Sequence, residues 1–143
     1  MAAEQGVIVV GVDGSEGSRD ALNWAAEHAR LTGAALRAVA TWRWPSYLTR
    51  VPPGADPAGD TTVVLRDMVA PVREKYDDVA VSKHVVHGPP GPSLLTQSEG
   101  ATLLVVGARG RAAFPGMRLG SVAEYRVRNG PCPVVVVRTL AQS

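Results

Sequence analysis

Cysteine occurs once in this 143-residue chain, at Cys132, so no internal disulfide can form and the composition suits a reducing compartment. Lysine is almost as scarce: Lys75 and Lys83 are the only two, and the rest of the basic charge is arginine. The formal net charge is only +2, and the charged residues are scattered rather than gathered in a run. A solvated surface follows, with no nucleic-acid partner expected. No apolar stretch reaches the roughly 18 residues that would span a bilayer, so no membrane association is expected. The opening residues show no basic segment ahead of an apolar one, so no signal peptide is expected and the chain reads as cytoplasmic.

Several chemistries are missing as well. There is no G-x-S-x-G elbow, no H-E-x-x-H and no Cys/His cluster with metal-ligand spacing. His84 and His87 lie three residues apart on a strand-like segment and so face opposite ways, and His28 has no evident partner. Neither catalytic residues nor metal ligands are assigned. The G-x-x-x-x-G-K-[ST] phosphate loop is absent, and the first turn carries Gly11, Gly14 and Gly17 where a dinucleotide fold would need G-x-G-x-x-G.

What is present is an alternation of buried-strand and helical patterns. Val7 to Val12 is a nearly unbroken β-branched run, the pattern of a strand covered on both faces. Leu22, Ala25, Ala26 and Ala29 then fall on one helical face, and Gly33 is placed to end that helix in a left-handed turn. Ala35 to Trp42 reads as a second strand. The Pro- and Gly-rich stretch from Trp44 to Asp60 reads as a long loop, of the kind that serves as a lid. Helical spacing returns at Val64, Leu65, Met68 and Val72, with Pro71 expected to kink that helix or mark its irregular start.

Val79 to His87 reads as a third strand, Pro92 to Ser98 as a short helix, Thr102 to Val106 as a fourth strand, Gly120 to Asn129 as a helix and Val134 to Val137 as a fifth strand. The strand–helix alternation specifies a single α/β domain over residues 1–143. Its core is an open parallel five-stranded sheet with helices on both faces, Rossmann-like, in strand order 3-2-1-4-5. Ligands of such sheets bind where the strand order reverses, here beyond Val12 and Val106.

The segment from Val105 to Val122, VVGARGRAAFPGMRLGSV, carries the strongest motif. Gly107 and Gly110 would let the backbone turn sharply and approach a bulky anion, and Gly120-Ser121 would open a helix whose unpaired N–H groups attract phosphate. Arg109, Arg111 and Arg118 surround this loop and could neutralise phosphate charge, although surface arginines are more often simply solvated. Trp42 and Trp44 bracket the start of the long loop, with core packing the simpler reading and stacking near a base the alternative. Cys132, between two prolines, reads as structural.

With these residues in view, the chain resembles the universal stress protein family, whose ATP-binding members carry G-(x)2-G-(x)9-G-[ST] at this place; Gly107, Gly110, Gly120 and Ser121 match it. The opening IVVGVDGS (Ile8 to Ser15) and closing CPVVVVR (Cys132 to Arg138) are similar to that family too. The resemblance implies an adenosine pocket formed by Asp13 and by the backbone near Ala40 and Thr41. It implies that Val106, Gly107, Ala108, Arg109 and Gly110 flank the nucleotide, with Gly120, Ser121 and Val122 at the phosphates. Ala112 and Ala113 depart from the family pattern, standing where many relatives have glycine.

By spacing alone, Asp13 could equally cap the first helix or close an Asx turn. The expected ligand is ATP, with Mg²⁺ through its phosphates; AMP and cyclic AMP would fit the same pocket. The implied function is a nucleotide-dependent stress regulator rather than an enzyme. The alternatives are slow ATP hydrolysis or nucleotidyl transfer with Asp13 as base, and an interaction protein that holds no nucleotide. A homodimer paired through the apolar edge strand Val134 to Val137 is expected from both the family and the exposure of such an edge.

Overall fold

The first helix is set by its two ends. Ser15 takes extended geometry and accepts the Ser18 N–H on its hydroxyl, an N-cap that satisfies one of the unpaired donors there. After seventeen helical residues Gly33 adopts φ 79° and returns its N–H to the Ala29 carbonyl at 2.8 Å, the left-handed stop that the sequence specifies. Between them Ala21, Leu22, Ala25, Ala26 and Ala29 are fully buried, and the small side chains bring the helix close to the sheet.

The computed structural model describes residues 6–44, 50–108 and 132–138. In chain order the elements are β1 (Val7–Gly11), α1 (Glu16–Thr32), β2 (Ala35–Trp42), α2 (Pro57–Lys75), β3 (Val81–His87), α3 (Pro90–Gln97), β4 (Leu103–Gly107) and β5 (Val134–Val137). All strand pairs are parallel, and the sheet order is β3-β2-β1-β4-β5, as the alternation requires. The expected helix over Gly120 to Asn129 lies outside the described residues.

Strand periodicity divides the core in two. Ile8 and Val10 of β1, Leu36, Ala38 and Ala40 of β2 and Val105 of β4 face α1 and α2, joined by Leu65, Val69 and Val72. Val9, Val39, Leu104 and Val106 face the other way, against Leu94 and Leu95 of α3 and against Cys132. Arg37 also lies in β2 and reaches the Gln97 carbonyl at 3.0 Å, so a residue sixty positions away helps cap the C-terminal end of α3. No described helix is long and apolar enough to cross a membrane.

Several expected boundaries move. The long loop ends at Asp56, not Asp60, because the Asp56 carboxylate accepts the Gly59 N–H at 3.1 Å and Pro57 suits the first helical position. Pro71 sits inside α2 without ending it. It lies on the exposed side, where water can serve the carbonyl it leaves unpaired, while Leu65, Met68, Val69 and Val72 hold the opposite side to the sheet. α3 starts at Pro90 rather than Pro92. β1 stops at Gly11, β3 begins at Val81, and β4 runs over Leu103–Gly107.

Candidate functional site

Asp13 follows β1 immediately, and its surroundings explain how it is aimed. Gly14, at φ 86°, reverses the chain. The Asp13 carboxylate then accepts the Ser15 N–H at 2.9 Å and the Ser15 hydroxyl at 2.5 Å, closing an Asx turn. Ser18, which is buried, donates its hydroxyl to the Ser15 carbonyl at 3.0 Å and accepts the Asp13 N–H at 3.2 Å. The loop between β1 and α1 is thus organised by its own side chains. Asp13 fills the turn role that spacing allowed and also borders a cleft.

That cleft, of about 360 Å³, opens at the carboxyl ends of β1, β2 and β3. Val12 and Asp13 follow β1, Ala40, Thr41 and Trp42 end β2, and Arg43 follows it. Asp60, Thr61 and Val64 come from the first turns of α2, while Gly88 and Pro90 follow β3. The volume lies within the roughly 300–1,000 Å³ of small-molecule sites. Aliphatic, aromatic and charged groups share the lining, a combination suited to a flat base carrying polar substituents.

Three of the site residues expected from the sequence, Asp13, Ala40 and Thr41, are therefore brought to one cleft. Val106, Gly107 and Ala108 are placed at the end of β4, next to β1 in the sheet and outside the cleft lining. Val106 buries its side chain in the α3-side core. Arg109, Gly110, Gly120, Ser121 and Val122 lie outside the described residues, as do Arg111, Ala112, Ala113 and Arg118.

Gly107 has a different cause from the sharp turn expected of it. It is a strand residue with no left-handed φ, and a Cβ built on it would stand 2.6 Å from both the carbonyl carbon and the oxygen of Gly17. The missing side chain lets the end of β4 lie against the first turn of α1.

The sequence offers Trp42 near the ligand only as the alternative to core packing and does not single out Arg43, although both directly continue the Ala40-Thr41 segment. It also passes over Asp60, Thr61 and Val64. Asp60 falls in the stretch that reads as loop and Thr61 just beyond it, because the Pro- and Gly-rich composition hides the start of α2 at Pro57. Trp42 is not a core residue. It is half-buried, with Trp44 edge-on and the ring of His87 at 4.3 Å. His28, for which the sequence showed no partner, stacks on Trp24 at 5.0 Å, one helical turn earlier.

Comparison with known proteins agrees with this architecture. A universal stress protein of Mycobacterium tuberculosis (strain ATCC 25618 / H37Rv) is 37% identical over 138 residues, which is 94% of this chain and 46% of the relative. The chain thus spans about half the length of the curated relatives it matches. Among solved structures, a universal stress protein in complex with cAMP is 26% identical with TM-score 0.67, covering 93% of this chain and 96% of that one. The universal stress protein from Archaeoglobus fulgidus in complex with dAMP is likewise 26% identical, with TM-score 0.58 and coverage of 90% and 94%. Residues 6–138 match the model of the universal stress protein family, and with the parallel sheet and its strand order in agreement, this chain belongs to that family.

Proposed function

We propose that this chain is an adenine-nucleotide-binding regulator of the stress response, holding ATP, with Mg²⁺ carried on the phosphates. One observation carries the reading. Asp13, Ala40 and Thr41, which the family resemblance assigns to the nucleoside, line a single cleft at the carboxyl ends of the central strands. Relatives solved with cAMP and with dAMP support an adenine nucleotide as the ligand class.

In this reading Asp13 accepts hydrogen bonds from the ribose, and backbone groups near Ala40 and Thr41 meet the base edge. Gly107 to Gly110 and Gly120 to Val122 hold the phosphates, with Val106, Ala108 and Arg109 beside them. In this reading the chain is a regulator rather than an enzyme: the Asp13 carboxylate, which the sequence nominates as base for the enzymatic alternative, is held by the N–H and the hydroxyl of Ser15 and serves to orient the nucleoside.

The chain acts as a homodimer in this reading. β3, at one edge of the sheet, carries Ser82, Lys83 and His84, polar residues that discourage further pairing. β5, at the other edge, is four half-buried valines with no such guard.

Thermal unfolding with and without Mg-ATP tests the site, with GTP as specificity control. Ligand at 100 times its Kd adds about 2.7 kcal/mol. An unfolding entropy of about 0.3 kcal/mol/K for a chain this long converts that into a rise of about 9 °C. Thr61→Trp, which fills the cleft from a partly exposed position on α2, and Gly120→Val, in the phosphate motif, should each abolish the rise. No rise for the wild-type protein at millimolar ATP would overturn the reading.

A further inference from the structure

The end of β2 carries an aromatic group that nothing above employs for binding. Trp42 pairs in register with His87 of β3, and their rings lie 4.3 Å apart at an inclination of 32°. Trp44 meets the indole edge-on, with centroids 6.1 Å apart and planes at 86°. The backbone is held as well, because the Trp42 carbonyl accepts the Gly88 N–H at 2.8 Å. Despite these neighbours Trp42 stays half-buried and borders the cleft, two residues beyond Ala40.

An indole restrained on several sides, with surface still open to a nucleoside-sized cleft, gives up little rotamer freedom when a ring stacks on it. Val12 and Val64 add aliphatic surface to the same space. Charged groups line the same cleft, with Asp13 after β1, Arg43 after β2 and Asp60 on α2.

We propose that Trp42 is the residue that selects the base: it stacks on the ligand's ring system and favours a purine over a pyrimidine through the larger overlap. His87 is the positioning residue that holds the indole at its angle. The proposal rests on the adenine-nucleotide reading and adds to it the source of base preference. It also makes a separable claim, since stacking acts on the base whatever the phosphate count.

Isothermal titration of the full chain with AMP, ATP and CMP tests it. Trp42→Ala should weaken AMP and ATP alike, by about 5- to 150-fold, the range expected for losing one base–aromatic stack. CMP should lose less, so that the purine preference shrinks. Trp42→Phe should recover most of the affinity. His87→Ala should weaken AMP, and His87→Phe, which keeps a ring against the indole, should restore it.

The variant Trp24→Phe/Trp44→Phe leaves Trp42 as the sole tryptophan and does not depend on Trp42→Ala folding. Its emission should be quenched by AMP with the midpoint measured calorimetrically. AMP bound at wild-type affinity by Trp42→Ala, or bound to the single-tryptophan protein with its emission unchanged, overturns the role of Trp42 and leaves the nucleotide reading intact. Failure of the wild-type chain to bind either AMP or ATP overturns both.

Discussion

Replacing Gly107 by alanine adds one methyl group at a place where two main chains touch. The new Cβ would lie 2.6 Å from the Gly17 carbonyl carbon, 2.6 Å from its oxygen and 3.2 Å from its Cα. All three atoms are backbone, and they belong to the first turn of a helix whose cap is fixed by Ser15. Relief therefore requires moving β4 or α1 as a body rather than rotating a side chain. Overpacking of this kind costs about 1–3 kcal/mol, or a fall of about 3–10 °C in Tm for a chain of this length.

Gly11→Ala is the internal comparison. Its Cβ would meet Leu94 Cδ1 at 2.9 Å, and the tip of a leucine can turn away, so the cost should be clearly smaller. Both variants would be unfolded by heat and by urea in nucleotide-free protein, so that loss of a bound anion cannot contribute. Gly107→Ala within about 0.5 kcal/mol of wild type, the usual scatter of innocuous substitutions, would refute the close-approach argument. It would return Gly107 to the role of a phosphate-loop glycine alone.

Two further outcomes are expected. Ser15→Ala removes the N-cap of α1 and both hydrogen bonds that the Ser15 hydroxyl makes, to Ser18 and Asp13. Stability should fall by about 1 kcal/mol, read by urea denaturation, with ATP affinity reduced as the Asp13 carboxylate loses a restraint. Val136→Pro tests the dimer: Leu104 and Ala108 donate to the Pro133 and Val137 carbonyls, so the alternating Val136 N–H points away from the sheet. Proline there should be tolerated within the chain but should block edge pairing, giving a monomer mass by light scattering; a wild-type chain already monomeric at all concentrations would refute the dimer.

Much of the fold is legible in the sequence because it rests on local rules. The β-branched runs of β1 and β5, the apolar face of α1 and the glycine that stops it each read correctly from neighbours a few residues away. Boundaries failed where a local rule met a tertiary force. Pro71 reads as a kink or an irregular start, yet it sits well inside α2, whose apolar side is held against β2 and β3 while the proline faces water. The long loop was overextended because its prolines hide Asp56 as a cap, and that error removed Asp60 and Thr61 from view as site residues.

The site divides along the same line. Asp13, Ala40 and Thr41 are nominated by the family resemblance, which attaches them to strand ends that the sequence does show; spacing alone leaves Asp13 between a turn role and a ligand contact. That His87, forty-five positions away, sets its ring against Trp42 beside the cleft lining depends on the register of β2 with β3, which no local pattern encodes. The same holds for Gly107 and Gly17, both readable as turn glycines until β4 and α1 are brought together. The sequence by itself determined which segments are strands and helices and hence the parallel, doubly covered sheet, because hydrophobic periodicity acts within a few residues. Only the tertiary structure decided which distant side chains meet at the strand ends, because strand register and helix seating are set by packing across the whole core.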